Sequence, residues 1–250
     1  MNETQLKFMR PVLEIFENDD IKKFAVEVLK DMPDYIWEVG ASSTAKYHPS
    51  YTIGTLGLMK HQIAVARMVN FFFELEQYQN RFDSRQRDLI KLAGLTHDGR
   101  KSGSQEDYEK SKYTKFDHPL LMAKVYMSYK DKGFLPEEEL RYLASIIGKH
   151  MGQWNTDKKS TVTLPKPNDE ASELLHLADY IVSRKCLTMA FDDFEIPQEE
   201  LPNVEEYKLS FGKHTGKTLL EVKESDPGWI AWAKENINRE PVKSLLNQLS

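Results

Sequence analysis

The chain of 250 residues has almost no cysteine, no long apolar run and no strong excess of charge of one sign. Its one cysteine, Cys186, excludes an intramolecular disulfide framework and any CxxC zinc site. The longest strongly apolar stretches, such as Met68–Phe73, are far shorter than the roughly 20 residues that span a bilayer. The N-terminal segment lacks the apolar region of a secretory signal. We therefore expect a protein of the reducing cytoplasm with no membrane partner.

The net charge and the apolar content narrow the classes of protein that remain. A formal net charge of -5 disfavours a protein that coats nucleic acid by bulk charge, whereas a local cationic site can still take a small anionic substrate. The hydrophobic content of 40% is enough for a sizeable core. The texture changes after Asp193, where Pro197 and Pro202 flank an acidic linker. We predict a mainly α domain over residues 1–195 and a small α+β module over residues 203–250.

Apolar spacing and capping residues predict most of the elements. Helices are expected over Pro11–Lys30, Leu58–Gln77, Ser84–His97, Asp117–Lys130, Pro136–His150 and from Asn168 through Val182. Long loops are expected over residues 40–57 and 152–167, with a polar segment at Gly99–Lys115. In the module, Tyr207–Phe211 and Lys217–Val222 suggest a strand pair, and Pro227–Ile237 a small helix.

Histidine and aspartate recur at the ends of these predicted helices. His97 and Asp98 are adjacent at the end of one apolar helix, and Asp179 lies inside another, where a carboxylate needs a partner. Other histidines stand at or near helix termini: His61, His118 and His150. If the helices bring these side chains together, they form a nitrogen and oxygen site that suits manganese, iron, cobalt, nickel, zinc or magnesium.

This ordered set resembles the HD phosphohydrolase superfamily, whose pattern is a histidine, a His-Asp pair and a later aspartate on helices. The matching stretches are Gly57-Leu58-Met59-Lys60-His61, Leu95-Thr96-His97-Asp98-Gly99-Arg100-Lys101 and Leu177-Ala178-Asp179. The resemblance covers about residues 45–190 and implies an HD-type helical bundle. It implies that one divalent ion is held by His61, His97, Asp98 and Asp179. In members with two ions, the aspartate of the His-Asp pair bridges to the second ion. Here Asp98 would be that aspartate, and His118 and His150 would hold the second ion.

The resemblance also implies roles around the ions. Asp98 would be catalytic as the bridging ligand, and Lys101 would contact the substrate phosphate, as the family's lysine does. Arg100 and Lys149 are further phosphate-contact candidates, chosen by proximity alone. Trp154 and Tyr113 could stack on a base from their loops. One departure bears on the second ion: some two-metal members have consecutive histidines where Met151 follows His150 here.

Each assignment has a structural alternative. His118 could be a surface histidine in a first helical turn, and His150 a histidine stabilised by a helix dipole. Asp179 could pair with Arg184 or Lys185 instead of a metal. His176, three residues earlier, is expected to support the site or lie on the surface. His48 is expected to be a solvated loop histidine.

The stretch Phe211–Thr218 is not a phosphate-binding P-loop, because the required first glycine would stand at position 211. The C-terminal segment instead resembles the exodeoxyribonuclease X-like C-terminal module, over about residues 203–250. That resemblance implies a link to nucleic-acid or nucleotide metabolism. Lys213, Lys217 and the amides of Gly212 and Gly216 could hold a phosphate, or the glycines could serve only a tight hairpin.

From these patterns we expect a divalent-metal phosphohydrolase acting on a nucleotide or short nucleic-acid substrate, with a 5′-(deoxy)nucleoside monophosphatase favoured. A 3′–5′ exonuclease or cyclic-nucleotide phosphodiesterase on the same scaffold is the nearest alternative, because the metal chemistry is shared. A protein that only binds a nucleotide or a nucleic-acid end is the alternative from another class.

Overall fold

The computed structural model describes residues 1–42, 48–194, 203–237 and 241–249. The chain divides into two compact units, residues 1–195 and 196–250, which are called the N-terminal and C-terminal units below. The described part is mainly helical, which confirms the predicted fold class at that level. It contains no sheet, only two isolated antiparallel bridges, Thr156–Thr163 and Lys208–Thr218.

The N-terminal unit contains eight α-helices within the described residues. They are α1 (Glu3–Leu13), α2 (Asp19–Lys30), α3 (Gly57–Phe72), α4 (Ser84–Thr96), α5 (Gln105–Lys110), α6 (His118–Met127), α7 (Glu137–Gly148) and α8 (Glu170–Val182). Two short 3₁₀ turns, Asp34–Trp37 and Ser50–Thr52, lie between α2 and α3. None of the helices in the described residues is both long and apolar enough to cross a membrane.

Capping residues explain where the central helices begin. The Asp83 side chain accepts the Gln86 N–H, and Gln86 accepts the Asp83 N–H, so a capping box opens α4. Asp169 caps α8 by accepting the Ser172 N–H at 2.9 Å. Pro136 precedes α7, whose first turn is acidic and therefore favourable at the positive end of the helix dipole. Asp117, the predicted cap of α6, makes no side-chain capping bond.

The first predicted helix, Pro11–Lys30, is wrong in its extent. The structure has two helices there, and Pro11 lies in the last turn of α1 instead of starting a helix. A buried carboxylate fixes the break between them: Asp88 Oδ2 accepts the Glu17 N–H at 2.9 Å and the Asn18 N–H at 2.7 Å. Lys91, which lies 2.8 Å from Asp88, donates to the Ile15 carbonyl. Apolar periodicity describes only local sequence, so it could not predict a break that depends on this tertiary contact.

Helix α4 lies at the centre of the N-terminal unit and packs against α2, α3, α7 and α8. Its residues Leu89, Ile90, Leu92, Ala93 and Leu95 are buried in the core. At the crossing with α3, a Cβ on Gly94 would lie 3.3 Å from the Ala66 backbone, so the two helices approach closely there. This contact places the middle of α3 beside the last turn of α4.

The C-terminal unit is smaller and has its own apolar core. Its helices in the described residues are α9 (Leu219–Ser225), α10 (Pro227–Asn236) and α11 (Val242–Gln248). The predicted strand pair is wrong, because it is reduced to the single bridge Lys208–Thr218. Thr218 and Glu221 form a capping box that starts α9 immediately after the bridge, so the second predicted strand is helical instead. The predicted helix from Pro227 is present as α10.

Candidate metal centre

The predicted metal ligands come together at the C-terminal end of α4. His97 follows α4 directly and Asp98 is the next residue. Four further side chains reach this point from the neighbouring helices: His61 in α3, His118 at the start of α6, His150 just after α7 and Asp179 in α8. These six side chains are called the His–Asp cluster. Five of them are at most 3% exposed as residues, and the Asp179 side chain is 21% exposed.

Two overlapping groups within the cluster have ligand atoms all within 4.8 Å of one another. In the first, His61 Nε2 lies 3.1 Å from Asp179 Oδ1, and His97 Nε2 lies 3.8 Å from the same oxygen. In the second, Asp98 Oδ2 lies 3.7 Å from His97 Nε2, and Asp98 Oδ1 lies 3.9 Å from His150 Nε2. Each group could hold a divalent metal ion.

Asp98 faces both halves of the cluster. Its Oδ1 lies 3.0 Å from His118 Nε2, which is itself 3.3 Å from His150 Nε2. Its Oδ2 lies 3.9 Å from His61 Nε2. One carboxylate oxygen therefore points to the His118 side and the other to the His61 side, as the two oxygens of a bridging carboxylate must.

Backbone carbonyls orient three of the imidazoles. The Nδ1 atoms of His97, His118 and His150 lie 2.7–2.8 Å from the carbonyl oxygens of Gly94, Lys115 and Ile147. A carbonyl oxygen only accepts, so each Nδ1 carries a proton, and in the neutral form of each ring Nε2 keeps its lone pair. A hydrogen bond from the second ring nitrogen is the usual support of a metal-bound histidine. The three Nε2 lone pairs are thus available to a metal ion.

The local sequence also fixes where His61 lies. Helix α3 begins after Leu56, which adopts a left-handed conformation with φ of 61° and donates its N–H to the Trp37 carbonyl. At the next residue, a Cβ on Gly57 would lie 2.3 Å from the Thr52 carbonyl oxygen. Only glycine allows this approach, so Gly57 sets the start of α3 and places His61 one turn further along.

The donor set fits a divalent ion on independent grounds. His97 Nε2, which faces Asp98 and Asp179, is a buried nitrogen without a hydrogen-bond partner in the described residues. Buried polar atoms without partners are rare in native structures, and an ion is one of the groups that satisfies them. Ligand atoms about 2.1 Å from an ion lie roughly 3.0–3.4 Å apart in octahedral or tetrahedral geometry. The closest pairs here, at 3.0–3.3 Å, match that spacing.

The protonation states favour metal binding at neutral pH. Burial lowers the pKa of His97 and lowers the pKa of His150 to about 3, so both rings are neutral. Burial alone would raise the pKa of Asp98, but the Lys101 ammonium and the neighbouring imidazoles outweigh it and hold that pKa well below its usual range. The pKa of Asp179 is likewise lowered, because its contacts with His61 and His97 outweigh burial. Neutral imidazoles and ionised carboxylates are the ligand forms that metals require.

A cavity of about 490 Å³ opens onto the cluster. Its lining includes the cluster residues His61, Asp98, His118, His150 and Asp179, and it also includes Lys101 and Trp154. The Lys101 Nζ lies 2.5 Å from Asp98 Oδ2, and its side chain is 17% exposed. Lys101 therefore places a positive charge at the boundary between the cluster and the cavity.

Two predicted substrate contacts do not reach this cavity. The Arg100 guanidinium donates to the Asp31 carbonyl at 2.9 Å, and Lys149 Nζ pairs with Asp169 at 2.6 Å. Neither residue lines the cavity. Arg100 stands two residues after Asp98 and Lys149 directly before His150, but side chains at neighbouring positions of a turn point in different directions. Tyr113, the other aromatic candidate, is 78% exposed and is also absent from the cavity lining.

The structure also bears on the alternatives that the sequence left open for single residues. His118 is 3% exposed and His150 is 1% exposed, so neither is a surface histidine. Asp179 pairs with His61, whereas Arg184 lies over the Tyr180 ring, with 4.0 Å between the guanidinium carbon and the ring centroid. His48 is not fully solvated, because it lines the cavity beside His61, and burial lowers its pKa to about 4.

His176 supports the segment that carries His150. Its Nδ1 lies 2.8 Å from the His150 carbonyl oxygen, and its Nε2 lies 3.0 Å from Gln153 Oε1. Between these partners, Gly152 has a φ of 56°, and a Cβ there would lie 2.2 Å from the His176 ring. The turn after α7 thus requires glycine at 152, both for its backbone conformation and for the space that the imidazole occupies.

Besides His48, four cavity residues lie outside the predicted site: Thr114, Met151, Ser183 and Arg184. Ser183 follows Asp179 by four positions, about one helical turn, so its place beside Asp179 could be predicted from the helical spacing. Arg184, Thr114 and Met151 lie outside the helices, so helical spacing gives no signal for them.

In the C-terminal unit, groups of the loop Phe211–Lys217 form hydrogen bonds and an ion pair with other residues of the same unit. The Gly216 N–H donates to the Leu209 carbonyl at 2.7 Å, and Lys213 pairs with Asp226 at 2.7 Å. Gly212 and Gly216 have φ of 72° and 86°. These observations support the tight-turn interpretation of the glycines over a phosphate-binding loop.

Comparison with protein families matches one segment of the chain. The model described as exodeoxyribonuclease X-like C-terminal matches residues 209–238, which supports the predicted resemblance of the C-terminal module. No curated protein and no solved structure matches the chain. The matched segment contains the loop described above and both α9 and α10.

Proposed function

We propose that the N-terminal unit is a divalent-metal phosphohydrolase of the HD type that acts on nucleotide phosphoesters, with 5′-(deoxy)nucleoside monophosphates as its preferred substrates. The observation that carries the proposal is the convergence of His61, His97-Asp98, His118, His150 and Asp179 at one end of a helical unit. The same ordered residues define the resemblance to the HD superfamily. The cavity is small and the chain is acidic, which favours a short substrate over a long polyanion.

His61, His97, Asp98 and Asp179 would hold one ion, and Asp98, His118 and His150 would hold a second. Such ions supply positive charge at the phosphoryl oxygens and a water that is nucleophilic at neutral pH. The protein contributes the arrangement of the ligands. Three carbonyl hydrogen bonds fix the imidazole rings of His97, His118 and His150, and burial keeps the His97 and His150 rings neutral.

Lys101 has a separate role in this proposal. Its ammonium lies beside Asp98 and lines the cavity, where it would contact a non-bridging phosphate oxygen of the substrate. Arg184, which also lines the cavity, supplies a second positive charge on the α8 side. These two cations lie at a cavity whose other charged groups are the carboxylates of the cluster, and they can attract the phosphate of a small phosphoester.

A 3′–5′ exonuclease is the second candidate, and the match of residues 209–238 to an exodeoxyribonuclease X-like model favours it. The C-terminal unit also exposes Trp232, at 53%, with Trp229 beside it at a centroid distance of 6.4 Å. Exposed aromatic side chains are a common surface for stacking single-stranded bases. In this alternative the C-terminal unit would hold the strand and the His–Asp cluster would cleave it.

One assay tests both candidates. Phosphate or nucleotide release is measured from nucleoside mono-, di- and triphosphates, cyclic nucleotides and short single strands, with manganese, magnesium, cobalt or no metal. Metal-dependent release confined to monophosphates supports the monophosphatase. Release from strands that Trp232→Ala lowers, while monophosphates are unaffected, supports the exonuclease. No release from any substrate, together with no retained metal, contradicts both and favours a binding protein.

A further inference from the structure

Two large aromatic side chains lie exposed at the rim of the cavity that opens onto the His–Asp cluster. Trp154 lines this cavity and is 45% exposed, and Tyr180, which packs against it, is 37% exposed. Some rings of the N-terminal unit are buried, such as Trp37 at 6%, whereas Phe71 and Tyr113 are exposed away from this cavity. What sets Trp154 and Tyr180 apart is that they form an exposed apolar pair next to the cavity, and an apolar patch beside a cavity is one mark of a binding surface.

The exposed indole is held in a fixed orientation. Its plane is 14° from that of Tyr180, with 5.7 Å between the ring centroids. The edge-on ring of His176 lies 5.9 Å away, and His176 is itself fixed by the His150 carbonyl and Gln153. A surface that is already ordered loses little conformational entropy when a ligand binds. The indole is therefore oriented by α8 before any ligand arrives.

The charges around the rings define the chemistry of the ligand. The Arg184 guanidinium lies over Tyr180 and donates from Nε to the Tyr180 carbonyl at 3.1 Å, so its charge is fixed at the same rim. Lys101 lies deeper, beside Asp98. The cavity thus offers a flat aromatic face at the rim and a cation next to the His–Asp cluster. A ligand that satisfies both has a planar ring at one end and a phosphate at the other.

We infer that Trp154, supported by Tyr180 and Arg184, is a stacking platform for the nucleobase of a nucleotide whose phosphate lies at Lys101. The inference rests on the proposed function, since it names the part of the substrate that the cavity rim recognises. A base stacked on an aromatic side chain accounts for about 5- to 150-fold in affinity. A sugar phosphate that has no base makes no use of the platform.

Binding measurements separate the platform from the chemistry. Dissociation constants are measured by calorimetry for adenosine 5′-monophosphate and for ribose 5-phosphate in chelator-treated protein, so that neither ligand is hydrolysed during the titration. The variants are Trp154→Ala, the conservative Trp154→Phe and Phe71→Ala. Phe71 is a matched control, because it is 51% exposed and lines a different cavity of the same unit.

We expect Trp154→Ala to raise the dissociation constant of adenosine 5′-monophosphate roughly 5- to 150-fold and to leave that of ribose 5-phosphate unchanged. Trp154→Phe keeps a ring and should recover most of the affinity, and Phe71→Ala should bind as the wild type does. A deoxyadenylate tetranucleotide measured in parallel shows whether the platform takes a free nucleotide or the terminal base of a strand. Equal weakening of both small ligands, or equal wild-type affinity for them, overturns the inference.

The proposed function fails separately. If Trp154→Ala weakens nucleotide binding selectively but the wild type releases no phosphate from any substrate, the platform stands and the phosphohydrolase proposal falls. If the wild type hydrolyses adenosine 5′-monophosphate and ribose 5-phosphate equally well, and Trp154→Ala changes neither rate, the phosphohydrolase proposal stands and the platform is refuted.

Discussion

Replacing Asp98 by asparagine removes one negative charge from the His–Asp cluster and keeps the shape of the side chain. Asp98 is the cluster residue with the most contacts to the others, since its two oxygens lie 3.0–3.9 Å from four imidazole Nε2 atoms. Any ion held by either half of the cluster would lie close to this carboxylate. The variant therefore tests the whole assignment at one position.

The expected effect is large. Two unit charges about 4 Å apart attract by about 4 kcal/mol at an effective dielectric constant near 20. The attraction of Asp98 for a divalent ion at that distance or closer is at least as great. We therefore expect Asp98→Asn to weaken metal binding by about 10³-fold or more and to abolish metal-dependent phosphate release.

The assay is metal content per chain, measured by mass spectrometry after exhaustive dialysis, together with a thermal unfolding curve. Asp131→Asn is the matched control, because Asp131 is exposed and lies outside the cluster. The unfolding curve shows that the variant is folded, which matters because Lys101 loses its partner in Asp98→Asn. A folded Asp98→Asn protein that retains as much metal as the wild type would refute the proposed centre.

Three further substitutions test other parts of the structure. Lys101→Met removes the ammonium at the cavity, so phosphate release should fall about 10²–10³-fold while metal content is kept; loss of the metal would contradict a substrate role. Gly152→Ala places a Cβ 2.2 Å from the His176 ring at a positive φ, so the melting temperature should fall by at least about 2–8 °C; an unchanged melting temperature would refute that packing. In the C-terminal unit, hydrogen bonds from Lys213 and from the Trp229 N–H lower the pKa of Asp226 to about 2. A carboxylate whose folded pKa is lowered contributes stability above its unfolded pKa, so this contribution is complete above about pH 4 and is lost as the pH falls toward 2. Asp226→Asn should remove that dependence of stability on acid pH. The measurement is urea unfolding at pH 2 to 5, monitored by the NMR signals of the indole N–H groups; identical pH profiles of stability for the wild type and the variant would count against the prediction.

The helix starts that carry capping signals could be predicted from sequence, and so could the residues of the His–Asp cluster. Asp169 and Pro136 mark the beginnings of α8 and α7 because their capping chemistry is local. The cluster residues were found through their order along the chain and their places at helix ends. Their convergence itself depends on how the helices cross, which no local pattern contains.

The substrate-facing side chains were harder to predict, and the reason is geometric. Arg100 and Lys149 lie within two residues of a cluster residue in sequence but bond to Asp31 and Asp169 outside the cavity. Arg184 lines the cavity although it stands five positions after Asp179. Arg184 lies beyond the end of α8 at Val182, so the three- and four-residue spacing of a helix does not predict its position either. The predicted strand pair of the C-terminal module was wrong because the capping bond at Thr218 ends the pairing after one bridge.

The orientation of the histidines follows from where the fold places them. The last carbonyls of an α-helix have no intrahelical donor, so a side chain that ends the helix can occupy them. His97 and His150 do so at the C-terminal ends of α4 and α7, each with its Nδ1 against a carbonyl three residues earlier. The bond gives a carbonyl of the last turn a side-chain donor, in addition to the His150 N–H at 3.2 Å in the case of Ile147. It holds Nδ1 on the backbone and leaves Nε2 directed at Asp98. A helical unit whose helices end at one point thus prepares its metal ligands through the same backbone groups that terminate its helices.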